Sequence, residues 1–205
     1  MRKSLSTLAQ TVKAIALTLL LPCYSWGTTI DFEALTDGDA VTNQFAVQGI
    51  TFSNTTVLSA GISLNEFEFP PKSGSNVVSD NGGSMTLSFT VPVSSFKGFF
   101  TYSVPITIFA FDAGANLLTS VTSTFLSNLA LSGDPGSLPN ELLQIAGVGN
   151  IASITISGDP TGGSFVTDDV QFNPVPEPGT MMLSSSVLAF FAVRRLSQVR
   201  RRSRA

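Results

Sequence analysis

Apolar and polar residues alternate in short runs from Thr28 to Pro174, and Gly, Pro, Asn and Asp separate the runs. No stretch of that span repeats its apolar residues every three or four positions, so no helix is expected there. Period-two alternation broken by frequent turn residues is the pattern of an all-β sandwich. In Ile30-Asp31-Phe32-Glu33 the apolar side chains point one way and the acids the other. Thr36-Asp37-Gly38-Asp39 reads as a turn, and Gly49-Ile50-Thr51-Phe52 as a second strand. Glu66-Phe67-Glu68-Phe69 alternates cleanly until Pro70-Pro71 stops it. Ser75 to Asp80 is a short strand ended by Asn81-Gly82-Gly83. The clearest strand follows, with Met85, Leu87, Phe89 and Val91 inward and Ser84, Thr86, Ser88 and Thr90 outward. Ser94 to Tyr102 is the next. Ile106 to Phe111 is apolar on both faces and is expected in the middle of a sheet. Asp112 to Asn116 turns it into Leu117 to Thr124. Phe125 to Gly149 is loop-like, with Glu141 to Ile145 either one helical turn or a short strand. Ile151 to Ser157 and Phe165 to Phe172 close a set of about nine or ten mostly antiparallel strands.

The two ends of the chain follow other rules. Arg2, Lys3 and Lys13 precede an apolar core from Ala14 to Leu21, which Pro22 breaks. Ser25-Trp26-Gly27 then puts small residues where a signal peptidase needs them. Residues 1–27 therefore read as a secretory signal peptide, a short helix cut after Gly27. A retained N-terminal anchor is the alternative. Cys23 invites a lipoprotein reading, but Pro22 stands where a lipobox needs Gly, Ala or Ser. At the other end, Pro176-Glu177-Pro178-Gly179 cannot be helix or central strand. Met181 to Val193 carries no charge, and as a transmembrane helix it spans about 20 Å, so the flanking arginines must snorkel. Arg194, Arg195, Arg200, Arg201, Arg202 and Arg204 follow with no acid among them, a cluster that stays on the cytoplasmic side. The alternative is a basic amphipathic tail lying on a membrane or on nucleic acid.

Setting both ends aside changes the electrostatics. Of the 11 cations only Lys72 and Lys97 lie between them, and of the 14 acids only Glu177 lies outside, so the domain carries a net charge of −11. Such a surface argues against nucleic acid and anionic lipid as partners. The chain has no His, its one Cys is Cys23, and the domain has no Arg. Cys-His and Ser-His-Asp catalysis, His/Cys zinc sites and an internal disulfide are thereby excluded from it. Fourteen of the 16 phenylalanines fall within the domain and are expected to dominate its core.

The tail resembles the PEP-CTERM sorting signal of Gram-negative bacteria that make extracellular polysaccharide. Val175-Pro176-Glu177-Pro178-Gly179-Thr180, the apolar run 181–193 and the arginine-rich stretch 194–205 carry the resemblance. Ser184-Ser185-Ser186 departs from the Leu and Gly usual in that apolar run. The resemblance implies an exosortase-like membrane transpeptidase as partner, transient anchoring in the inner membrane, and a cell-surface or extracellular destination. The domain 28–174 resembles a galactose-binding-like jelly roll in Ile30-Asp31-Phe32-Glu33, Gly49-Ile50-Thr51-Phe52, Thr107 to Asp112 and Asp168-Asp169-Val170-Gln171-Phe172.

That second resemblance implies a structural calcium ion held by acids of adjacent first and last strands. Here those are Glu33 with Asp168 or Asp169, with Asp31 nearby. Alternation places Asp168 on one face with Val170 and Phe172, where a carboxylate needs a partner. The alternative is that Asp168 caps the strand and stays wet. Glu66 and Glu68 share a strand face at roughly 7 Å, the spacing of a glycosidase pair, or are simply its solvated side. Asp37-Gly38-Asp39 lacks the later acids of an EF-hand. Sugar platforms favour Trp and Tyr, and the domain offers only Tyr102. The expectation is a non-enzymatic structural or adhesive protein of the surface, matrix or biofilm, with exopolysaccharide binding as the alternative and carboxylate-based glycoside hydrolysis as a third reading.

Overall fold

The computed structural model describes residues 27–175. The expected signal helix and transmembrane helix lie outside them, and among the described residues no helix is long and apolar enough to cross a membrane. Nine strands form: β1 (Thr28–Ile30), β2 (Ile50–Ser53), β3 (Thr55–Ser59), β4 (Asn76–Asp80), β5 (Met85–Tyr102), β6 (Thr107–Phe111), β7 (Leu117–Thr122), β8 (Glu141–Ser157) and β9 (Phe165–Pro174). One 3-10 turn, Ala46–Gln48, precedes β2. The order across the sheet is β3-β4-β9-β5-β8-β6-β7, with β1 on β9 and β2 on β5. Every ladder is antiparallel, as expected of a jelly-roll sandwich.

Two strands are far longer than their sequence pattern announces. β5 joins the two expected runs into 18 residues, and β8 extends over 17 from Glu141. Each is really two half-strands joined by a break. In β5 the break is Phe89 to Pro92, where the register against β8 shifts. Pro92 has no N–H to give a ladder, so a strand tolerates it at such an irregularity. In β8 the break falls at Gly147 and Gly149, both at positive φ, 73° and 99°. The first half of β5 pairs β2 and the second half pairs β9. Both halves feed one core, with Met85 and Leu87 from the first and Phe96, Phe100 and Tyr102 from the second. The sheet must therefore fold over on itself, and the breaks are where it bends.

Phe32, Phe45, Phe52, Phe96, Phe100, Phe165 and Phe172 are buried there, among a larger set of Ile, Val and Leu. Phe32, Phe45 and Phe52 meet edge to face with centroids 5.6–6.0 Å apart. A second, smaller cluster of Leu64, Val77 and Val166, with Phe69 against it, lies on the other face of β4 and β9. The segment between β3 and β4 covers it. This buries β4 on both faces, and all five of its residues are inaccessible.

Some elements differ from the pattern reading. Thr55–Ser59 is a strand that the sequence did not announce. Glu66-Phe67-Glu68-Phe69 is a turn, because Asn65 C=O accepts the N–H of Glu68 and of Phe69, at 3.1 and 2.8 Å. Alternation there is accidental. The strand at Ile30 ends at once, since Phe32 has φ 61°.

Candidate functional site

The first and last strands are neighbours, with Thr28 opposite Phe172 and Ile30 opposite Val170. Acids following β1 and inside β9 converge on one loop, residues 70–76. The turn at Phe32 directs Glu33 to its far half. Glu33 Oε1 accepts the N–H of Ser75 at 3.0 Å and of Asn76 at 2.8 Å, and Oε2 accepts the Ser75 hydroxyl at 3.3 Å. Gly74 lies directly before these amides at φ 52°, and a Cβ there would overlap the Glu33 carboxylate. Glycine is needed on both grounds.

Asp168 holds the near half of the loop. Phe165 to Asp168 run opposite Tyr102 to Phe99, but Gln171 lies opposite Lys97, one residue out of step. The extra residue is absorbed at Asp169, whose φ is 47°. This bulge corrects the alternation reading. Val170 and Phe172 face the main core, whereas Asp168 lies opposite Phe99 on the other face, beneath the loop. Asp168 Oδ2 accepts the N–H of Lys72 and of Ser73, each at 2.9 Å, and Oδ1 accepts the N–H of Asp169 at 2.7 Å. The Ser73 hydroxyl donates to Asp169 Oδ1 at 3.0 Å. Asp168 is 1% exposed. Its pKa is pushed up to about 6, because burial outweighs the three N–H donors and the Asp169 charge adds to it. The Lys72 ammonium turns to the Phe99 ring, 4.5 Å from its centroid.

Two carboxylates thus hold four backbone amides of one short loop. Lone pairs directed at N–H groups are not free for a cation, and calcium takes six to eight oxygens. Asp31 Oδ1 accepts the Glu33 N–H at 3.3 Å. Among the described residues no group of three or more His, Cys, Asp or Glu is placed to hold a metal. Glu33 holds one half of the loop and Asp168 with Asp169 the other, an arrangement that fits a loop clamp rather than the calcium cage that the resemblance implied.

The remaining candidates are also engaged. Glu68 Oε2 accepts the N–H of Leu131 at 3.0 Å and of Ser132 at 3.1 Å, which holds its pKa low. Since residues 66–69 form a turn, Glu66 and Glu68 do not make the strand-spaced pair a glycosidase reading requires. Asp37 Oδ1 accepts the Ser59 N–H at 2.8 Å and the Ser63 hydroxyl, within a turn. Tyr102 is fully buried and cannot be a sugar platform. Its hydroxyl donates to Glu141 Oε2 and accepts the Phe125 N–H at 3.3 Å, and burial with that carboxylate pushes its pKa up to about 12.

Asp80 carries no signal in the sequence beyond the Asn-Gly-Gly turn after it. It is 4% exposed at the end of β4, Oδ1 accepts the Gly163 N–H at 3.1 Å, and Oδ2 has no donor among the described residues. Burial raises its pKa. Phe67 is the opposite surprise, 71% exposed, as is Leu131 at 76%, whose N–H meets the neighbouring Glu68.

Gly27 and Val175 bound the described chain at one end of β9. A Cβ on Gly27 would meet Asn173 Oδ1 at 2.7 Å, and the Val175 N–H donates to Pro92 C=O at 2.9 Å. Pro176 to Thr180 and the six arginines lie outside the described residues.

The K2 cleaved adhesin domain of Lys-gingipain is similar in structure, 15% identical over 72% of this chain and 99% of its own, with a TM-score of 0.43. A DUF4465 family protein from Bacteroides caccae is 11% identical over 73% of this chain and 100% of its own, with a TM-score of 0.46. A family 29 carbohydrate-binding module is 10% identical over 72% of this chain and 90% of its own, with a TM-score of 0.38. Superpositions this loose assign no ligand. No curated protein matches the sequence. Residues 174–196 match the PEP-CTERM protein-sorting motif, and the chain is a carrier of that sorting signal.

Proposed function

We propose that this is an exported β-sandwich protein of the cell surface or extracellular matrix, with a structural or adhesive role and no catalysis of its own. In this reading residues 1–27 are removed as a signal peptide, 28–174 are the working domain, and an exosortase-like transpeptidase acts near Val175 to Thr180. The inner membrane is a transient partner through 181–193, held by Arg194, Arg195, Arg200, Arg201, Arg202 and Arg204. The observation that carries this is the junction. The sorting motif starts at Pro174, the last residue of β9, and Val175 makes the final described backbone bond, to Pro92. β9 and its ladder to β5 end at Pro174, so a cut beyond Val175 leaves every strand pairing of the domain in place. Replacing Pro176, Glu177 and Pro178 together by alanine should strand the protein in the inner-membrane fraction. Unchanged delivery to the surface or medium would refute the reading.

Exopolysaccharide binding is the second reading, and the exposed ring of Phe67 favours it. Pull-down with the producing cell's polysaccharide, lost on Phe67→Ala, is the result it requires. Retention by the variant, or no binding by the parent protein, removes it.

A further inference from the structure

The chain holds ten asparagines, and one of them, Asn81, is followed by glycine. Six others, Asn54, Asn76, Asn116, Asn128, Asn140 and Asn173, spend their Nδ2 on a hydrogen bond. Asn43, Asn65 and Asn150 do not, but the side chains of Gln44, Glu66 and Ile151 shield the backbone nitrogen that follows. Gly82 has no side chain to shield its own. Asn81 and Gly82 are both exposed. Among the described residues no hydrogen bond reaches the Asn81 side chain, and the Gly82 N–H has no acceptor. A free amide side chain therefore stands next to a free backbone nitrogen.

The turn around them, from β4 to β5, is held from two sides. Asn81 N–H donates to Asn54 C=O at 3.2 Å, and Asn54 Nδ2 donates to Gly82 C=O at 2.7 Å and to Ser84 C=O at 3.2 Å. On its other side lies the β8–β9 loop. A Cβ on Gly162 would meet Gly82 N at 2.2 Å and Gly82 Cα at 2.6 Å, so the two glycine backbones pack directly on each other. Asp80 is buried at the same joint, with Oδ1 on Gly163 N–H at 3.1 Å and Oδ2 without a donor among the described residues. The joint has no room for an added atom, and it already holds one carboxylate that is poorly satisfied.

We propose that Asn81 is a site of spontaneous deamidation, and that the change loosens the joint between this turn and the β8–β9 loop. Gly82 N attacks Asn81 Cγ and gives up its proton. The Cγ–Nδ2 bond breaks, and ammonia leaves with that proton. Water then opens the cyclic imide at one of its two carbonyls. One opening leaves aspartate at 81. The other leaves isoaspartate, whose backbone runs through Cβ and is one atom longer. Either product sets a new carboxylate next to Asp80, in a domain already at −11. The longer backbone also pushes Gly82 off Gly162 or off the Asn54 amide. None of this depends on the sorting or polysaccharide readings.

Tryptic mapping of the protein recovered from its producing cells, before and after incubation in mildly alkaline buffer, tests this. The domain has Lys72 and Lys97 and no Arg, so one peptide, Ser73 to Lys97, carries Asn81 together with the buried Asn76 as an internal control. Conversion of amide to acid is expected to grow with time at Asn81 and to be absent at Asn76. Part of the product is expected to accept a methyl group from protein isoaspartyl methyltransferase. The aged protein is expected to melt about 2–4 °C lower, the shift that loss of one hydrogen bond gives in a domain of this length. Asn81→Gln, whose longer side chain closes the ring slowly, is expected to keep both its amide and its melting temperature. Four results overturn the proposal: an Asn81 that stays intact while the free peptide 73–97 converts, a conversion led by another asparagine, a converted protein that melts as before, or an equal fall in Asn81→Gln.

Discussion

The Asp168 carboxylate accepts the Ser73 backbone N–H at 2.9 Å, across 95 residues of chain. It also takes Lys72 N–H, while Glu33 takes Ser75 and Asn76 N–H. The loop over the second small core is therefore held by two acids that belong to neither of its flanking strands. Replacing Asp168 by alanine removes the acceptor from three amides, two of them in the loop, which costs about 1–3 kcal/mol. Chemical denaturation should show a midpoint shift of that size with an unchanged slope. An unaltered midpoint would mean that the loop is held by something else.

The same group gives a sign to the pH dependence. Asp168 titrates at about 6 in the folded protein, above its ordinary value of 3.8. The folded state therefore holds a proton that the unfolded chain releases in this window. Its contribution to stability is present below about pH 4 and is lost as pH rises through 6. At about 1.4 kcal/mol per pKa unit the whole change is on the order of 3 kcal/mol. Melting temperature followed between pH 4 and 7 should fall, and Asp168→Asn should flatten the fall. A slope that survives the substitution assigns it to another acid, with Asp80 next because burial raises it too.

Gly74 separates space from chemistry. Its φ of 52° and the Glu33 carboxylate both oppose a side chain. Gly74→Ala should destabilise the domain by at least about 1 kcal/mol. Gly136→Ala offers the control, since its φ is also positive, 86°, but nothing lies within 4 Å of its Cβ. Equal losses for the two variants would show that backbone strain alone matters.

Tyr102→Phe keeps the ring and removes the hydroxyl, leaving Glu141 with Thr124 alone as donor and Phe125 N–H without its acceptor. A loss of about 1–3 kcal/mol in thermal stability is expected. A neutral result would mean that water replaces the hydroxyl.

Much of this fold was legible in the residues, and the misses have physical causes. Met85 to Val91 alternates because one of its faces meets a core, and that signal is reliable. Glu66 to Phe69 alternates equally well, yet Asn65 C=O captures two of its amides, a local competition invisible to periodicity. Thr55–Ser59 was hidden because it is buried on alternate positions by Thr and Ser as well as Val57. That Glu33 and Asp168 serve one region followed from the jelly-roll resemblance, which sets the first and last strands side by side. What each carboxylate holds did not, because backbone amides carry no residue code. Only Gly74 marks the place. Asp168 was set on the wrong face by a single-residue bulge, whose sole trace is an Asp-Asp pair able to tolerate positive φ.

The sorting account stands or falls on the two ends of the finished protein. Intact-mass spectrometry, with terminal peptides sequenced, should be applied to the protein recovered from the cell surface and the medium. The account predicts a chain that starts at Thr28 and ends near Val175 to Thr180, without the arginines from Arg194 to Arg204. An extracellular protein that still carries its arginine-rich tail would contradict it.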